Sequence, residues 1–451
     1  MLTLADILDR SARSPAPGPR GHPLLGSLPR ARRDPIALFM DSFRDYGEVV
    51  RFRLGPVVAH LISSPAGVNH VLAENNKNYG KQTRGYRNLR YILGNGLLTS
   101  EGDAWKRQRR IAQPAFHRQR IAGFAQTMVR AAEDAAADLE SRRGREIDMH
   151  HEMMRLTLRV VGETLLAYDP TDAADEVGAA LTYLLAIANE RSSRIVELPP
   201  ILPTRENLKF RRALATLDTV VLRMIAERRK SPGDRGDLLS MLIESRDAES
   251  GEAMDDRQLR DEAMTIFLAG HETTANALTF TWLLLSRYPQ AFRELRAELQ
   301  RVLGGRSPNI DDLPALTLTR RILQESMRLY PPAWIIARSV IGPDEIAGYE
   351  IPARSILFIS PYVVHRHPGL WEDPEGFDPQ RFASEPPRGA YLPFGGGPRM
   401  CIGNAFATME AELVLATLAQ RLRFALVPGV GVELEPSITL RPRNGVRMNI
   451  R

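Results

Sequence analysis

The stretch FGGGPRMCIGNAFA, residues 394–407, says more about the fold than any other part of the chain. Three consecutive glycines and a proline predict a tight loop with few side chains. The only cysteine of the sequence, Cys401, follows this loop, and a helix is predicted to begin near Gly403. A thiol at the start of a helix meets unpaired backbone N–H groups and the positive end of the helix dipole, which both favour the thiolate.

A thiolate held in this way is a good axial ligand for haem iron, to which it donates electron density. Gly397 and Gly403 would let the backbone come close to a flat macrocycle. The alternative interpretation of the same residues is a buried, inert cysteine after a glycine-rich turn. A phosphate-binding loop is excluded, because the stretch contains neither the G-x-G-x-x-G nor the G-K-[ST] pattern.

At this stretch the sequence resembles the cytochrome P450 family. The haem-binding signature of that family, Phe-x-x-Gly-x-Arg-x-Cys-x-Gly, is matched by Phe394, Gly397, Arg399, Cys401 and Gly403. Three further signatures appear in the order of the family: WKRQR (105–109), AGHETT (269–274), and ESMR (325–328) with FDPQRF (377–382). The resemblance implies a mainly α-helical fold with small β-sheets (α+β), with haem between the oxygen-activating helix and the helix after the cysteine loop.

Length, charge and cysteine content narrow the class of protein. The 451 residues carry a formal net charge of +6 and no Lys/Arg block with interleaved aromatic residues, so nucleic acid is not an expected partner. A single cysteine excludes a disulfide framework, Cys-type zinc sites and iron–sulfur clusters, and it favours a reducing compartment. No signal peptide is predicted, because the N-terminal stretch contains no long apolar run. The best membrane-span candidate, which starts at Met264, is interpreted as a buried core helix rather than a transmembrane anchor, because an adjacent His271 and Glu272 near its centre would be costly in lipid. We expect a cytoplasmic protein, and a monomer.

The order of predicted elements favours one domain. Residues 1–20 are proline-rich and predict an extended lead-in, and residues 21–451 are expected to form a single haem domain. Residues 46–64 predict a β-hairpin, and residues 104–300 are mostly helical in periodicity. The loops predicted within them are ELPPILPT (197–204) and KSPGDRGD (230–237).

The AGHETT stretch almost spells the zinc-protease box His-Glu-x-x-His, but Ala275 stands where the second histidine would be. A haem oxygenase needs protons at bound oxygen in a site that stays dry. The Thr273 hydroxyl can hydrogen-bond the bound oxygen, and the Glu272 carboxylate behind it can relay protons through water. Ala269 and Gly270 are small enough for a ligand to approach and for the helix to distort locally. Without the haem signature, core packing with a few tolerated polar residues would explain the same stretch.

Haem propionates are carboxylates, on which arginines are expected to converge. The resemblance implies this role for Trp105, Arg109, Arg338 and Arg399. Arg338 could instead face solvent from a strand. His365 and His367 have the spacing of metal ligands, but they precede Pro368 on a predicted loop, where a structural role is favoured.

Glu325 and Arg328 lie three residues apart and therefore share one face of a helix. By resemblance, Arg381 completes a structural network with them that fixes the cysteine loop. An exposed ion pair worth less than about 1 kcal/mol is the alternative.

The expected substrate is hydrophobic: a terpenoid, fatty acid, steroid-like compound or polyketide. The residues assigned to its pocket are Ile266, Ala269, Trp334, Ile335, Ile336 and Ile438, together with a loop over residues 83–98. Arg84, Arg87 and Arg90 on that loop could meet the carboxylate of a fatty acid, or they could form a solvated face.

The reaction implied by the resemblance is insertion of one atom of O₂ into the substrate, by hydroxylation or epoxidation, with haem b as cofactor. Electrons from NAD(P)H are expected to arrive through a separate ferredoxin and ferredoxin reductase. A peroxygenase, a rearrangement catalyst and a non-enzymatic haem gas sensor or carrier are the alternatives. The Glu272–Thr273 pair argues against the first two, because it supplies protons that they do not need.

Overall fold

The structure is a computed structural model that describes residues 14–165, 174–194, 199, 201–230, 237–247, 249 and 251–451. Residues 1–13 of the predicted lead-in, and parts of the loops predicted at 197–204 and 230–237, lie outside the described residues. The chain divides into two compact units. The first comprises residues 1–84, 333–376 and 385–401, and the second comprises residues 85–332, 377–384 and 402–451. The prediction of one domain over residues 21–451 stays a prediction.

The first unit contains most of the β-structure. Its elements are β1 (Ser14–Pro15), α1 (Leu28–Arg33), α2 (Pro35–Tyr46), β2 (Val49–Leu54), β3 (Val57–Ile62), α3 (Pro65–Asn69), β4 (Tyr79–Gly80), β6 (Ile336–Val340), β7 (Asp344–Ile346), β8 (Tyr349–Ile351), β9 (Ile356–Ile359) and α15 (Pro361–Val364). A five-stranded sheet has the order β2-β3-β9-β6-β4, in which only β3 and β9 are parallel. Its apolar side chains, among them Ile62, Leu357 and Ile359, pack into one core cluster.

The second unit is mainly helical. Its elements are α4 (Arg84–Leu93), α5 (Gly102–Ala112), α6 (Arg118–Ala122), α7 (Ala125–Ser141), β5 (Glu146–Asp148), α8 (Met149–Leu165), α9 (Ala174–Ser193), α10 (Arg205–Lys230), α11 (Leu238–Glu244), α12 (Asp256–Arg287), α13 (Pro289–Leu303), α14 (Thr317–Leu329), α16 (Asn404–Arg421), β10 (Phe424–Leu426), β11 (Leu434–Pro436), β12 (Leu440–Pro442) and β13 (Arg447–Ile450). Two small antiparallel sheets complete it, one of order β10-β13-β5 and one formed by the hairpin β11-β12.

Helix α12 forms the centre of the second unit. The carboxylate of Asp255 caps its start by accepting a hydrogen bond from the Gln258 N–H at 2.7 Å. The helix packs along α8. A Cβ at Gly270 would lie 3.1 Å from a methyl group of Val161, so the glycine allows the two helices to approach closely. Thr157 of α8 donates a hydrogen bond of 2.9 Å to the His271 carbonyl, which fixes the register of the pair.

The predicted fold class, mainly α with small sheets, is confirmed, and so is the hairpin at 46–64, which is formed by β2 and β3. Helix α12 is continuous from Asp256 to Arg287, and the local distortion expected at Ala269 and Gly270 stays a prediction. Among the described residues, no helix has both the length and the apolar character needed to cross a membrane.

Candidate active site

The cysteine loop lies in the first unit and is shaped by its own backbone. The Cys401 N–H donates a hydrogen bond of 3.0 Å to the Phe394 carbonyl, and the Met400 N–H donates one of 3.1 Å to the Gly397 carbonyl. A short 3₁₀ turn, Gly397–Arg399, lies between them. These bonds close the loop, and the Cys401 residue at its end is exposed rather than buried. The alternative interpretation of Cys401 as a buried, inert cysteine therefore does not agree with the structure.

Gly397 is required by both conformation and space. Its φ of +64° lies in the left-handed region. A Cβ at this position would lie 1.8 Å from the carbonyl oxygen of Leu72, far inside contact distance. Gly395 also has a positive φ, +73°, but a Cβ there would meet nothing closer than an Ile336 methyl group at 3.8 Å. The loop thus tolerates no side chain at Gly397.

Other predicted site residues of the first unit lie on β6 or next to the loop. Arg338 is a buried residue of β6, which excludes the solvent-facing strand position considered above. Trp334 is buried, and Ile335 and Ile336 are half-buried beside it. Arg399, two residues before Cys401, is half-buried.

The two histidines with metal-ligand spacing have structural partners. His365 is buried and accepts a hydrogen bond of 2.7 Å from the Leu392 N–H, while His367 Nε2 bonds to a Glu48 carboxylate oxygen at 2.8 Å. Among the described residues, no cluster of His, Cys, Asp and Glu is arranged to hold a metal ion.

In the second unit, the AGHETT segment interrupts the burial of α12. Residues 261–268 and 274–285 are buried, but Ala269 is exposed, and Gly270 and Thr273 are half-buried. These three residues lie on one face of the helix, which is less buried here than along the rest of α12. The Thr273 hydroxyl donates to the Ala269 carbonyl at 2.7 Å, and the Thr274 hydroxyl donates to the Gly270 carbonyl at 3.1 Å. Both threonines therefore bond back to their own helix.

Glu272 points to the hairpin β11-β12 rather than to solvent. Glu272 is only 4% exposed, and its Oε1 accepts a hydrogen bond of 2.8 Å from the Thr439 hydroxyl. The Arg441 guanidinium lies 3.9 Å from the same oxygen. Burial raises the pKa of the Glu272 carboxyl, and the Thr439 hydrogen bond and the Arg441 charge partly oppose that rise.

Asn276, one turn after Glu272, extends this network. Its Nδ2 donates to the Thr439 hydroxyl oxygen at 3.2 Å, and its Oδ1 accepts from His150 Nε2 at 3.0 Å. His150 lies at the start of α8 and is half-buried, and burial lowers its pKa. A continuous hydrogen-bonded chain thus joins His150 to Glu272.

His271 faces the core. It is 1% exposed, its Nδ1 donates to the Phe267 carbonyl at 3.3 Å, and its ring stacks on that of Phe267. Burial lowers its pKa to about 4, so the imidazole is neutral at pH 7.

Trp105 and Arg109 lie four residues apart on α5 and are both half-buried, so they share one face of that helix. Arg90, by contrast, donates two hydrogen bonds to the Thr99 carbonyl, at 2.8 and 3.2 Å. The sequence segment 83–98 was expected to be a loop, and this was wrong, because Arg84–Leu93 is the amphipathic helix α4.

The structure brings Glu325, Arg328 and Arg381 together in the second unit. Arg328 forms two hydrogen bonds with the Glu325 carboxylate, and neither side chain is accessible to solvent. Arg381 Nε donates to Oε1 of Glu325 at 3.3 Å, and the Asp378 N–H donates to the same oxygen at 2.9 Å. The alternative of an exposed ion pair is excluded.

The remaining pocket residues of the second unit are Ile266, which is 8% exposed on α12, and Ile438, which is half-buried just before β12. A buried polar contact that the sequence reasoning missed lies near Ile266. Glu262 accepts a hydrogen bond of 2.9 Å from the Leu97 N–H, and burial raises its pKa to about 7. Thr439, Arg441, Asn276 and His150 were missed too, because no local pattern links them to Glu272.

Comparison with known proteins identifies the family to which the chain is similar. A family model described as cytochrome P450 matches residues 16–447. Cyclooctatin synthase of Streptomyces melanosporofaciens is 41% identical over 96% of this chain and 96% of its own length. Cyclooctat-9-en-7-ol 5-monooxygenase of the same organism is 38% identical over 91% of this chain and 90% of its own. Pentalenene oxygenase of Streptomyces avermitilis is 36% identical over 94% and 92%.

The match covers nearly the whole chain and includes every motif described above. The chain belongs to the cytochrome P450 family, as a monooxygenase that uses haem b and O₂ and receives electrons that originate from NAD(P)H.

Proposed function

We propose that this protein oxygenates a terpenoid natural product by inserting one atom of O₂ through hydroxylation or epoxidation. The observation that carries the proposal is the 41% identity to cyclooctatin synthase over 96% of both chains. Two further relatives are named for the oxidation of cyclooctat-9-en-7-ol and of pentalenene. The residues that we assign to substrate contact are apolar, which suits a hydrocarbon skeleton. They are Ile266, Ala269, Trp334, Ile335, Ile336 and Ile438.

Cys401 is the residue that we assign as the axial ligand of the haem iron. When bound, haem activates O₂ with two electrons delivered from outside. The exposed position of Cys401 at the end of a closed loop, and the side-chain-free backbone at Gly397, support the fit of this group. The half-buried ring of Phe394 and the turn at Gly403 flank the cysteine in the sequence signature. The loop would therefore hold the sulfur in a fixed direction.

Four side chains are proposed to bind the haem propionates: Trp105, Arg109, Arg338 and Arg399. Guanidinium groups match carboxylates in charge and in hydrogen-bond geometry. The shared face of Trp105 and Arg109 on α5 supports a common partner for these two residues. Arg338 is buried on β6, and its Nη1 donates a hydrogen bond of 2.9 Å to the Ala337 carbonyl, which restricts the position of its guanidinium group.

Thr273 and Glu272 are the residues that we assign to proton delivery. Ala269 is exposed and Thr273 is half-buried on the same face of α12, which supports access of a small ligand to the Thr273 hydroxyl. That hydroxyl can exchange its bond to the Ala269 carbonyl for a bond to the ligand. Glu272 can supply the proton that the hydroxyl passes on, and the burial of its carboxyl keeps bulk water away.

The proposed electron donors are a separate ferredoxin and its reductase. The formal net charge of +6 suits an acidic ferredoxin, since opposite charges accelerate encounter.

The substrate proposal is tested by titrating the ferric protein with cyclic terpene hydrocarbons, terpene alcohols and long-chain fatty acids. The expected result is a shift of the haem from low to high spin with terpenoids, followed by a product that has gained one oxygen atom. A response to fatty acids alone would overturn it.

The ligand assignment is tested separately. The carbon monoxide complex of the reduced protein should show the red-shifted absorption band of thiolate-ligated haem, and Cys401→Ser should lose it. Persistence of that band in the serine variant would exclude Cys401 as the ligand.

A further inference from the structure

The hairpin β11-β12 supplies the immediate partners of Glu272. We propose that Thr439 and Arg441 are positioning residues that hold the Glu272 carboxyl group for proton delivery, at the end of a hydrogen-bonded chain that starts at His150. The proposal rests on the proposed role of Glu272.

The direction of the hydrogen bonds is the first argument. His150 Nε2–H donates to Asn276 Oδ1, Asn276 Nδ2–H donates to Thr439 Oγ1, and the Thr439 O–H donates to Glu272 Oε1. Each residue of the chain donates to the next one, in the direction from His150 to the Glu272 carboxyl group. Hydrogen bonds aligned in one direction polarise one another, so the last donor is stronger than an isolated hydroxyl. Such a chain favours the ionised form of Glu272.

The charges around Glu272 are the second argument. Arg441 lies between two carboxylates, with Nε at 2.7 Å from Glu435 and Nη1 at 3.9 Å from Glu272. Its side chain is only 11% exposed, so solvent screens it little. Arg441 lowers the pKa of Glu272, whereas Glu435 raises it. Glu272 is therefore held between burial, which favours the neutral acid, and two hairpin residues, which favour the carboxylate.

This balance matters because a relay must release and regain a proton in every turnover. Without Thr439 and Arg441, burial would raise the pKa of Glu272 further, and Oε1 would lose the hydrogen bond that the Thr439 hydroxyl donates. The carboxyl group would also rotate more freely, because the hydrogen bond of 2.8 Å from the Thr439 hydroxyl to Oε1 restricts its rotation. The hairpin therefore sets both the direction and the proton affinity of the relay.

The experiment compares Thr439→Val, which keeps the shape of the side chain but removes the hydroxyl, with Thr439→Ser, which restores it. Thr279→Val is the matched control, because the Thr279 hydroxyl is equally buried on α12 but bonds only to the Ala275 carbonyl. Two readouts are taken: product formed per NAD(P)H consumed, and the infrared band of protonated Glu272 in the resting protein as pH is raised. The band is assigned by its loss in Glu272→Gln.

In Thr439→Val we expect product per NAD(P)H to fall about tenfold, the effect of losing one hydrogen bond to a charged group. The midpoint of the infrared titration should rise by about one pH unit. Thr439→Ser and Thr279→Val should behave as the parent protein. A merely structural role for Thr439 would not move the infrared midpoint.

Arg441→Gln gives a second, independent variant. It should raise the infrared midpoint by less than Thr439→Val, because the Arg441 guanidinium is further from the carboxylate. Arg443→Gln is its control, since Arg443 lies in the same hairpin but pairs with the exposed Glu433.

Two results would overturn the inference. One is an unchanged infrared midpoint and unchanged coupling in Thr439→Val and Arg441→Gln while Glu272→Gln is uncoupled. The other concerns the double variant. If Thr439→Val lowers product per NAD(P)H by the same factor in Glu272→Gln as in the parent protein, then Thr439 does not act through Glu272. Full coupling in Glu272→Gln would instead refute the proposed role of Glu272 itself.

Discussion

Arg328 binds the carboxylate of Glu325 through two hydrogen bonds, Nε to Oε2 at 2.7 Å and Nη2 to Oε1 at 2.8 Å, and both side chains are fully buried. A buried pair of this kind stabilises the fold only while both partners are present, because each leaves an uncompensated charge if the other is removed. The same carboxylate accepts from the Asp378 N–H, so the pair also anchors the segment that carries Arg381.

Glu325→Gln should therefore destabilise the protein strongly. Loss of one partner of a buried ion pair costs about 3–5 kcal/mol. The measurement is chemical unfolding of the variant followed by circular dichroism, with haem content determined in the purified protein. Arg321→Gln is the control, since Arg321 lies on the same helix, is partly exposed and bonds only to the Gln380 side chain. Equal stability of the two variants would contradict the account of the buried pair.

Gly397 and Gly395 offer a matched test of the cysteine loop. Both have positive φ, so an alanine at either position costs about 1–2 kcal/mol in backbone strain. Only at Gly397 would the new Cβ collide with a carbonyl oxygen, that of Leu72. We expect Gly397→Ala to lose most of its bound haem and Gly395→Ala to retain it, as measured by absorbance relative to protein concentration. Equal haem content in the two variants would refute the steric argument.

Glu262 should make stability depend on pH. Burial raises the pKa of its carboxyl in the folded protein to about 7, from an ordinary value of 4.5. Between these values the folded protein keeps the proton that the unfolded chain has lost, so stability falls as pH rises from 4.5 to 7 and then levels off. Glu262→Gln should not show this decrease in stability, because glutamine does not titrate. We expect its stability relative to the parent protein to increase by up to about 3 kcal/mol between pH 5 and pH 8.

The measurement for Glu262 is urea unfolding of both proteins over that pH range, and the exposed Glu294→Gln on α13 is the control. The glutamine can still accept the hydrogen bond from the Leu97 N–H, so the comparison isolates the charge. A stability difference that does not change with pH would show that Glu262 is not held in its neutral form.

Local sequence patterns predicted much of this protein because their causes are local. The glycines of the cysteine loop, the period of the helix that carries Glu325, and the Gly55-Pro56 turn between β2 and β3 each depend on neighbouring residues. Helix α4 was missed because the segment is short and, with three arginines, polar on average, so that only the burial of Leu89, Ile92 and Leu93, a tertiary effect, distinguishes it from a polar loop.

The partners of Glu272 could not be predicted for a different reason. Thr439 is 167 positions away, in the turn between β11 and β12. Only the packing of the hairpin against α12 brings the hydroxyl to the carboxylate. A buried polar network is specified by tertiary structure, so its members carry no common sequence signal.

Thr273 is the residue on which the proposed proton delivery depends most directly. Removal of its hydroxyl in Thr273→Ala leaves the helix intact, because the bond that is lost is a side-chain bond to the Ala269 carbonyl and not a bond of the helix backbone. We expect electrons to be consumed at a rate close to that of the parent protein, while product per NAD(P)H falls about tenfold or more and hydrogen peroxide is released.

The control for Thr273→Ala is Thr281→Ala, two turns further along α12, where the hydroxyl bonds to the Ala277 carbonyl in the same way but is fully buried. The two variants lose the same kind of hydrogen bond, so a difference between them in coupling reports the half-buried position of Thr273 rather than helix stability. Peroxide release and product are measured in one reaction. A fully coupled Thr273→Ala protein would remove Thr273 from the mechanism, and protons would then have to reach the site from another part of the chain.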